Sequence, residues 1–170
     1  MATNKRGVYL TYWDEGVTIQ QIKDAGYDYA ILRGGLTGIG YGSPKSTDGR
    51  FADFYDQASA LKFPVGVAYV SLATTREKGE AEAAFLYENI IQGRVFQCPV
   101  VYAVRKYLDE EGVAEAVKGF TDYLSAKGYT VAVWDRTYTG TVNTGGYMVN
   151  TVEGFHPIRA KKPTARKGKK

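Results

Sequence analysis

Five short apolar runs alternate with segments of helical periodicity, and this alternation narrows the possible folds more than any other feature. The runs cover residues 7–11, 29–32, 64–71, 99–104 and 129–134 and are rich in Val, Ile, Tyr and Ala. Between them, residues 17–25 place Val17, Ile19, Ile22 and Ala25 at near-helical spacing, and residues 51–61 do the same with Phe51, Phe54, Ala58 and Leu61. Residues 75–91 open on Thr74 or Thr75 as a cap, with Glu77 and Glu80 in the first turns. Residues 110–126 place Val113, Val117, Phe120 and Leu124 on one face, and Gly128 closes the segment. Strands separated by helices imply parallel βαβ units, and nearly continuous apolar strands imply burial on both faces. The class is therefore α/β. Periodicity leaves two closures open, a barrel-like (β/α) fold and an open doubly wound sheet. Residues 34–49 read as a loop, with glycine at 34, 35, 38, 40 and 42 and no Gly-Lys-Ser to make it a phosphate loop. After Thr137 the pattern weakens into Gly, Thr and Asn.

Several segments, in order and in register over roughly residues 7–137, resemble the glycoside hydrolase family 25 lysozymes, the muramidases of bacteria and their phages. Gly7-Val8-Tyr9-Leu10-Thr11-Tyr12-Trp13 is similar to the family's opening strand. Ala25-Gly26-Tyr27-Asp28-Tyr29-Ala30-Ile31-Leu32-Arg33 is similar to its second strand and the turn before it. Asp48 to Ala60 resembles its Asp-x-x-Phe helix. Pro64 to Thr74 resembles its tyrosine-rich third strand, and Gly128 to Trp134 its fifth. The resemblance implies an irregular or incomplete (β/α) barrel. It divides the chain into a lysozyme-like domain over 1–137, an irregular segment over 138–158 and a basic tail over 159–170.

The same resemblance implies a dismantled active site. Glycoside hydrolysis by the common route needs two carboxyl groups flanking the scissile bond. The family carries them as Asp-x-Glu, whose i and i+2 residues share one face of a strand. The matching positions here are Ala103 and Arg105, and the opening strand's Asp matches Tyr9. The family's substrate-lining tyrosines match Ala68 and Val70, with Tyr69 kept between them, and its last strands have no clear counterpart after Thr137. The expectation is a pseudoenzyme with no catalytic residues and no cofactor or metal. Trp13, Tyr69 and Trp134 would lie near the strand C-terminal ends, where barrel sites form, and could stack on sugar; they could equally be core. Arg105 could bind an anion at the old cleft or pair with Asp14 or Asp135. Asp14 and Glu15 read as solvated loop acids, and His156, the only histidine, as a loop residue.

Charge is unevenly distributed. All 18 acidic residues precede residue 159, so the first 158 residues carry a net −3. The last twelve carry +7, from Arg159, Lys161, Lys162, Arg166, Lys167, Lys169 and Lys170. Such a tail suits nucleic acid, an acidic protein neighbour or an anionic wall polymer, or it is simply solvated. Cys98 is the only cysteine and reads as core. The N-terminus shows no apolar signal region and no run is long enough to span a membrane, so synthesis in the cytoplasm without a signal peptide is expected, with any exit by lysis or inside a larger particle such as a virion. Two functions follow as expectations. One is an inactive lysozyme-like structural module, anchored by its tail in a larger assembly such as a phage virion. The other is a non-catalytic peptidoglycan-binding or glycan-binding module. An active muramidase using relocated acids ranks third.

Overall fold

A computed structural model describes residues 5–38, 42, 44–104, 111–155 and 157. In chain order the elements are β1 (Gly7–Leu10), α1 (Ile19–Asp24), β2 (Tyr29–Thr37), β3 (Lys45–Thr47), α2 (Phe51–Leu61) and β4 (Val65–Val70), followed by α3 (Arg76–Leu86), β5 (Val100–Ala103), α4 (Glu111–Ala126), β6 (Val131–Trp134), β7 (Gly140–Asn143) and β8 (Met148–Val152). Helix α1 begins where its sequence directs: Thr18 Oγ1 accepts from Gln21 N–H at 3.2 Å, and Gln21 Oε1 accepts from Thr18 N–H at 3.0 Å. Helix α3 runs on into a π-helical turn, Tyr87–Ile91, so the single helix expected over 75–91 changes its pitch for its last turn.

Among the described residues eight strands form one sheet in the order β6-β5-β4-β2-β1-β8-β7, with β3 paired to β2. β1, β2, β4, β5 and β6 run parallel, as the βαβ reading requires. β8 pairs antiparallel with β1, and β7 antiparallel with β8. β6 and β7 end the sheet without pairing to each other, so the barrel is incomplete.

The two faces of the sheet distinguish this architecture from a doubly wound one. One face packs against the helices in a large core that includes Val8, Leu10, Leu32, Val67, Tyr69, Tyr102 and Phe120. The other buries a smaller cluster drawn from strands and connections alone: Tyr9, Tyr29, Ile31, Ala68, Cys98, Val101, Ala103, Trp134, Val152 and Phe155. The sheet curls on this second face, and its own side chains fill the bore. Trp134 packs edge-on to Tyr9 at 5.0 Å, Tyr138 at 5.4 Å and Phe155 at 5.8 Å between ring centres.

Two expectations are corrected. The loop over 34–49 contains the end of β2 and all of β3, whose Thr47 lies opposite Gly35. The segment over 138–158, read as irregular and without strands, holds the β7–β8 hairpin that flanks β1. Its turn is closed by Thr144 N–H to Tyr147 C=O at 2.8 Å and Gly146 N–H to Asn143 Oδ1 at 2.8 Å. Gly145 and Gly146 take φ values of 68° and 101°, which glycine adopts freely.

Candidate functional site

At the C-terminal ends of β1 and β2 a cavity of about 280 Å³ opens to solvent. Strand β1 and the turn after it supply Tyr9, Thr11, Trp13 and Asp14. Arg33 and Val70 come from β2 and β4, and Arg136, Tyr138 and Asn150 from the final third of the chain. The turn is locally pinned: Thr11 N–H donates to Asp14 Oδ2 at 2.8 Å, Asp14 N–H to Thr11 C=O at 2.9 Å and Trp13 N–H to Thr11 Oγ1 at 3.1 Å. The result is a Trp13 ring 78% exposed at the cavity rim, held edge-on to Tyr12 at 5.4 Å.

Arg33 reaches the cavity from the inner face of β2, two residues after Ile31, and the register against β4 shifts just beyond it, between Arg33 and Gly35. Bulges of this kind re-aim side chains and favour sites. The guanidinium Nε donates to Asp48 Oδ2 at 2.7 Å, and the side chains of the pair are 14% and 1% exposed. Asp48 Oδ2 also accepts from Tyr12 N–H at 2.9 Å, and Oδ1 from Arg50 N–H at 2.8 Å. The aspartate is thus fully engaged behind the cavity. Arg136 has φ 67°, a left-handed conformation that costs a residue with a Cβ about 1–2 kcal/mol. Such strain is commonly kept where function needs it.

Burial governs the titrating groups here. It pushes the Tyr9 hydroxyl far above its usual range, against the opposing pull of Arg33, so the phenol stays protonated. Burial likewise raises Asp14, with the Thr11 N–H bond and Arg50 pulling the other way. Asp14 is the one carboxylate among the described residues that line the cavity.

The residues singled out from sequence divide sharply. Trp13 and Tyr9 stand at the cavity. Trp134 does not: it is 6% exposed in the bore, and its indole N–H donates to Thr137 C=O at 2.9 Å. Ala103 is fully buried in the same bore cluster. Tyr69 lies on the wrong face, because β4 turns Ala68 and Val70 inward and Tyr69 toward the helices. Arg105, His156 and the tail residues Arg159, Lys161, Lys162, Arg166, Lys167, Lys169 and Lys170 lie outside the described residues. The pairing expected of Arg105 is therefore untested, while Asp14 and Asp135 have other partners: Thr11 for Asp14, and Thr137 N–H for Asp135 at 3.1 Å. Arg33, Asp48, Arg136, Tyr138 and Asn150 went unremarked as site residues. An arginine closing an apolar strand was the available signal for Arg33.

Tyr69 instead belongs to a polar network beneath the helices. Its hydroxyl is 2.7 Å from Thr37 Oγ1, which donates to Glu82 Oε2 at 2.6 Å. Glu82 Oε1 accepts from Tyr102 OH at 2.6 Å and Ser71 Oγ at 2.7 Å, and Leu72 N–H reaches Oε2 at 3.3 Å. A cavity of about 390 Å³ borders this network. It is larger than the one at the barrel mouth, but its carboxyl group already has four donors and so reads as structural.

Among the described residues no group of three or more His, Cys, Asp or Glu could hold a metal, and no helix is long and apolar enough to cross a membrane. No family model matches the sequence, and no curated protein matches it. Solved structures do. The modular autolysin LytC from Streptococcus pneumoniae superposes with a TM-score of 0.65 at 19% identity over 78% of this chain and 33% of its own. The spore cortex lytic enzyme SleM from Clostridium perfringens gives 0.65 at 16% over 76% and 43%. A family 25 glycosyl hydrolase from Bacillus anthracis gives 0.65 at 13% over 88% of both chains. LytC has also been solved in complex with a synthetic peptidoglycan ligand. The chain spans about a third of LytC and under half of SleM. At these identities the likeness is one of fold: the chain has the lysozyme-like fold of family 25 glycosyl hydrolases.

Proposed function

We propose that this domain holds a peptidoglycan-type glycan at the barrel mouth without hydrolysing it. One observation carries the reading: the mouth cavity is lined by aromatic rings and guanidinium groups, with Asp14 the single carboxylate among its described residues. Hydrolysis by the common route needs two carboxyl groups on either side of the bond. Asp48, which pairs with the cavity residue Arg33, is 6% exposed and bonded to three donors. The exposed ring of Trp13 offers what a sugar face needs for stacking. The complex of LytC with a peptidoglycan ligand supports the choice of polymer.

Purified cell walls test both halves. The protein should sediment with walls, Trp13→Ala should lower that binding about tenfold, and suspensions should not clear. Clearing abolished by Asp14→Asn would overturn the non-catalytic half and establish an enzyme with relocated acids. Absence of wall binding would overturn the other half.

The last twelve residues favour a second reading, a structural module held by its +7 tail in a larger assembly such as a phage particle. Co-purification with a particle that is lost when residues 159–170 are removed would support it. A tail-deleted chain that still co-purifies would exclude the tail as the anchor.

A further inference from the structure

We infer that the mouth cavity selects an acidic sugar or polyol, one bearing a carboxylate or phosphate, over a neutral one, through Arg33, Arg136 and the Tyr9 hydroxyl. The inference rests on the glycan-holding reading and names the ligand class.

Arg33 is the first support. A guanidinium carries five N–H donors in a planar fork. Here only Nε is engaged, by Asp48, while among the described residues both terminal nitrogens lack a hydrogen-bond partner on a side chain 14% exposed. Arg33 lines the open cavity, so these donors are available to a ligand that displaces water there.

Tyr9 is the second and is independent of the first. The residue is 5% exposed and lines the cavity, yet its hydroxyl makes no hydrogen bond with any described residue. It stands opposite Asn150 on β8, which lines the same cavity. Ile31 is its partner on β2, two residues before Arg33, so all three side chains share the inner face of the sheet.

Arg136 is the third. It lines the cavity from the far side, has no ion-pair partner among the described residues and is held in a left-handed backbone conformation. Two guanidinium groups and a phenol converging on one space suit an oxyanion, which Arg binds in bidentate fashion. Asp14 adds the complementary requirement. Its Oδ2 is occupied by Thr11 N–H, leaving Oδ1 as an acceptor for a ligand hydroxyl. A molecule carrying both hydroxyls and an acid meets both demands.

Calorimetric titration of the full chain tests this with three probes: the disaccharide of N-acetylglucosamine and N-acetylmuramic acid, the neutral N,N′-diacetylchitobiose, and glycerol 3-phosphate. The acidic disaccharide should bind about tenfold more tightly than the neutral one. Arg136→Gln, at an exposed position, and Tyr9→Phe, which keeps the ring, should each abolish that preference while leaving Tm nearly unchanged. Competition by glycerol 3-phosphate would assign the anion site to phosphate-bearing polymers as well; its failure to compete would assign it to carboxylates. Equal affinity for the two disaccharides, or a preference that survives both substitutions, would overturn the inference while leaving the glycan-holding reading intact. No binding of any probe would overturn both.

Discussion

Asp48 ties three parts of the chain to one carboxyl group: the β2 bulge through Arg33, the turn after β1 through Tyr12, and the start of α2 through Arg50. In the sequence it reads only as the residue leading a helix. Nothing in a linear string links it to Arg33 across the glycine-rich stretch between them. Asp14 behaves differently. It is only partly satisfied, and burial raises its pKa above 3.8. A carboxyl group raised in the folded state favours folding at low pH, and that contribution is lost as pH rises through the folded value. Asp14→Asn should therefore raise Tm at pH 7, and the gain should vanish as pH falls to 3.8. Thermal melts across that window would check it; a gain independent of pH would show that titration of Asp14 is not the cause. Tyr69 shows why a site can be misread one residue at a time. Alternate strand residues face opposite sides, so the neighbour of an inward Ala68 had to point to the helices.

At the scale of elements, the helices and parallel strands were legible because apolar spacing records them directly. The β7–β8 hairpin was not, since its strands are short, partly exposed and rich in Thr and Asn. Its one signal was Gly145-Gly146 between two β-prone runs, a recognised hairpin turn. Equally silent was the closeness of α3 and α4. A Cβ added at Gly79 would lie 2.1 Å from Ala116 C=O, and one at Gly119 would lie 2.2 Å from Arg76 C=O. The two backbones touch where both helices omit a side chain. Gly79→Ala improves helix propensity yet should destabilise the domain by about 3 kcal/mol, because the helices must separate. Urea unfolding measures the balance; a stabilised variant would mean that the helices yield at little cost.

For the whole molecule, closure was the hardest feature to read. Periodicity gives parallel strands but not which of them meet, and only the family resemblance favoured a barrel. The observed sheet stops short of closing, and among the described residues β6 and β7 each have one unpaired edge. Both are four residues long, a length that limits edge-to-edge association. The space that closure would enclose is occupied by Tyr9, Ala103, Trp134 and Phe155, all at most 7% exposed.

That filled bore bears on whether acids could be accommodated there, given the proposed non-hydrolytic reading. Tyr9 and Ala103, the positions that the family resemblance matches to acids, face a packed bore. Tyr9 packs on Trp134 and lies 6.2 Å from Tyr138, and Ala103 has no exposure at all. Introducing Tyr9→Asp, Ala103→Asp and Arg105→Glu together should give no wall-clearing activity. The first two changes alone should cost at least about 3 kcal/mol, since one empties an aromatic site and the other inserts a carboxyl group into packed core. Recovered clearing with Tm unchanged would show the bore to be loose. Otherwise the packed rings, and not the identity of a few side chains alone, decide what the bore can hold.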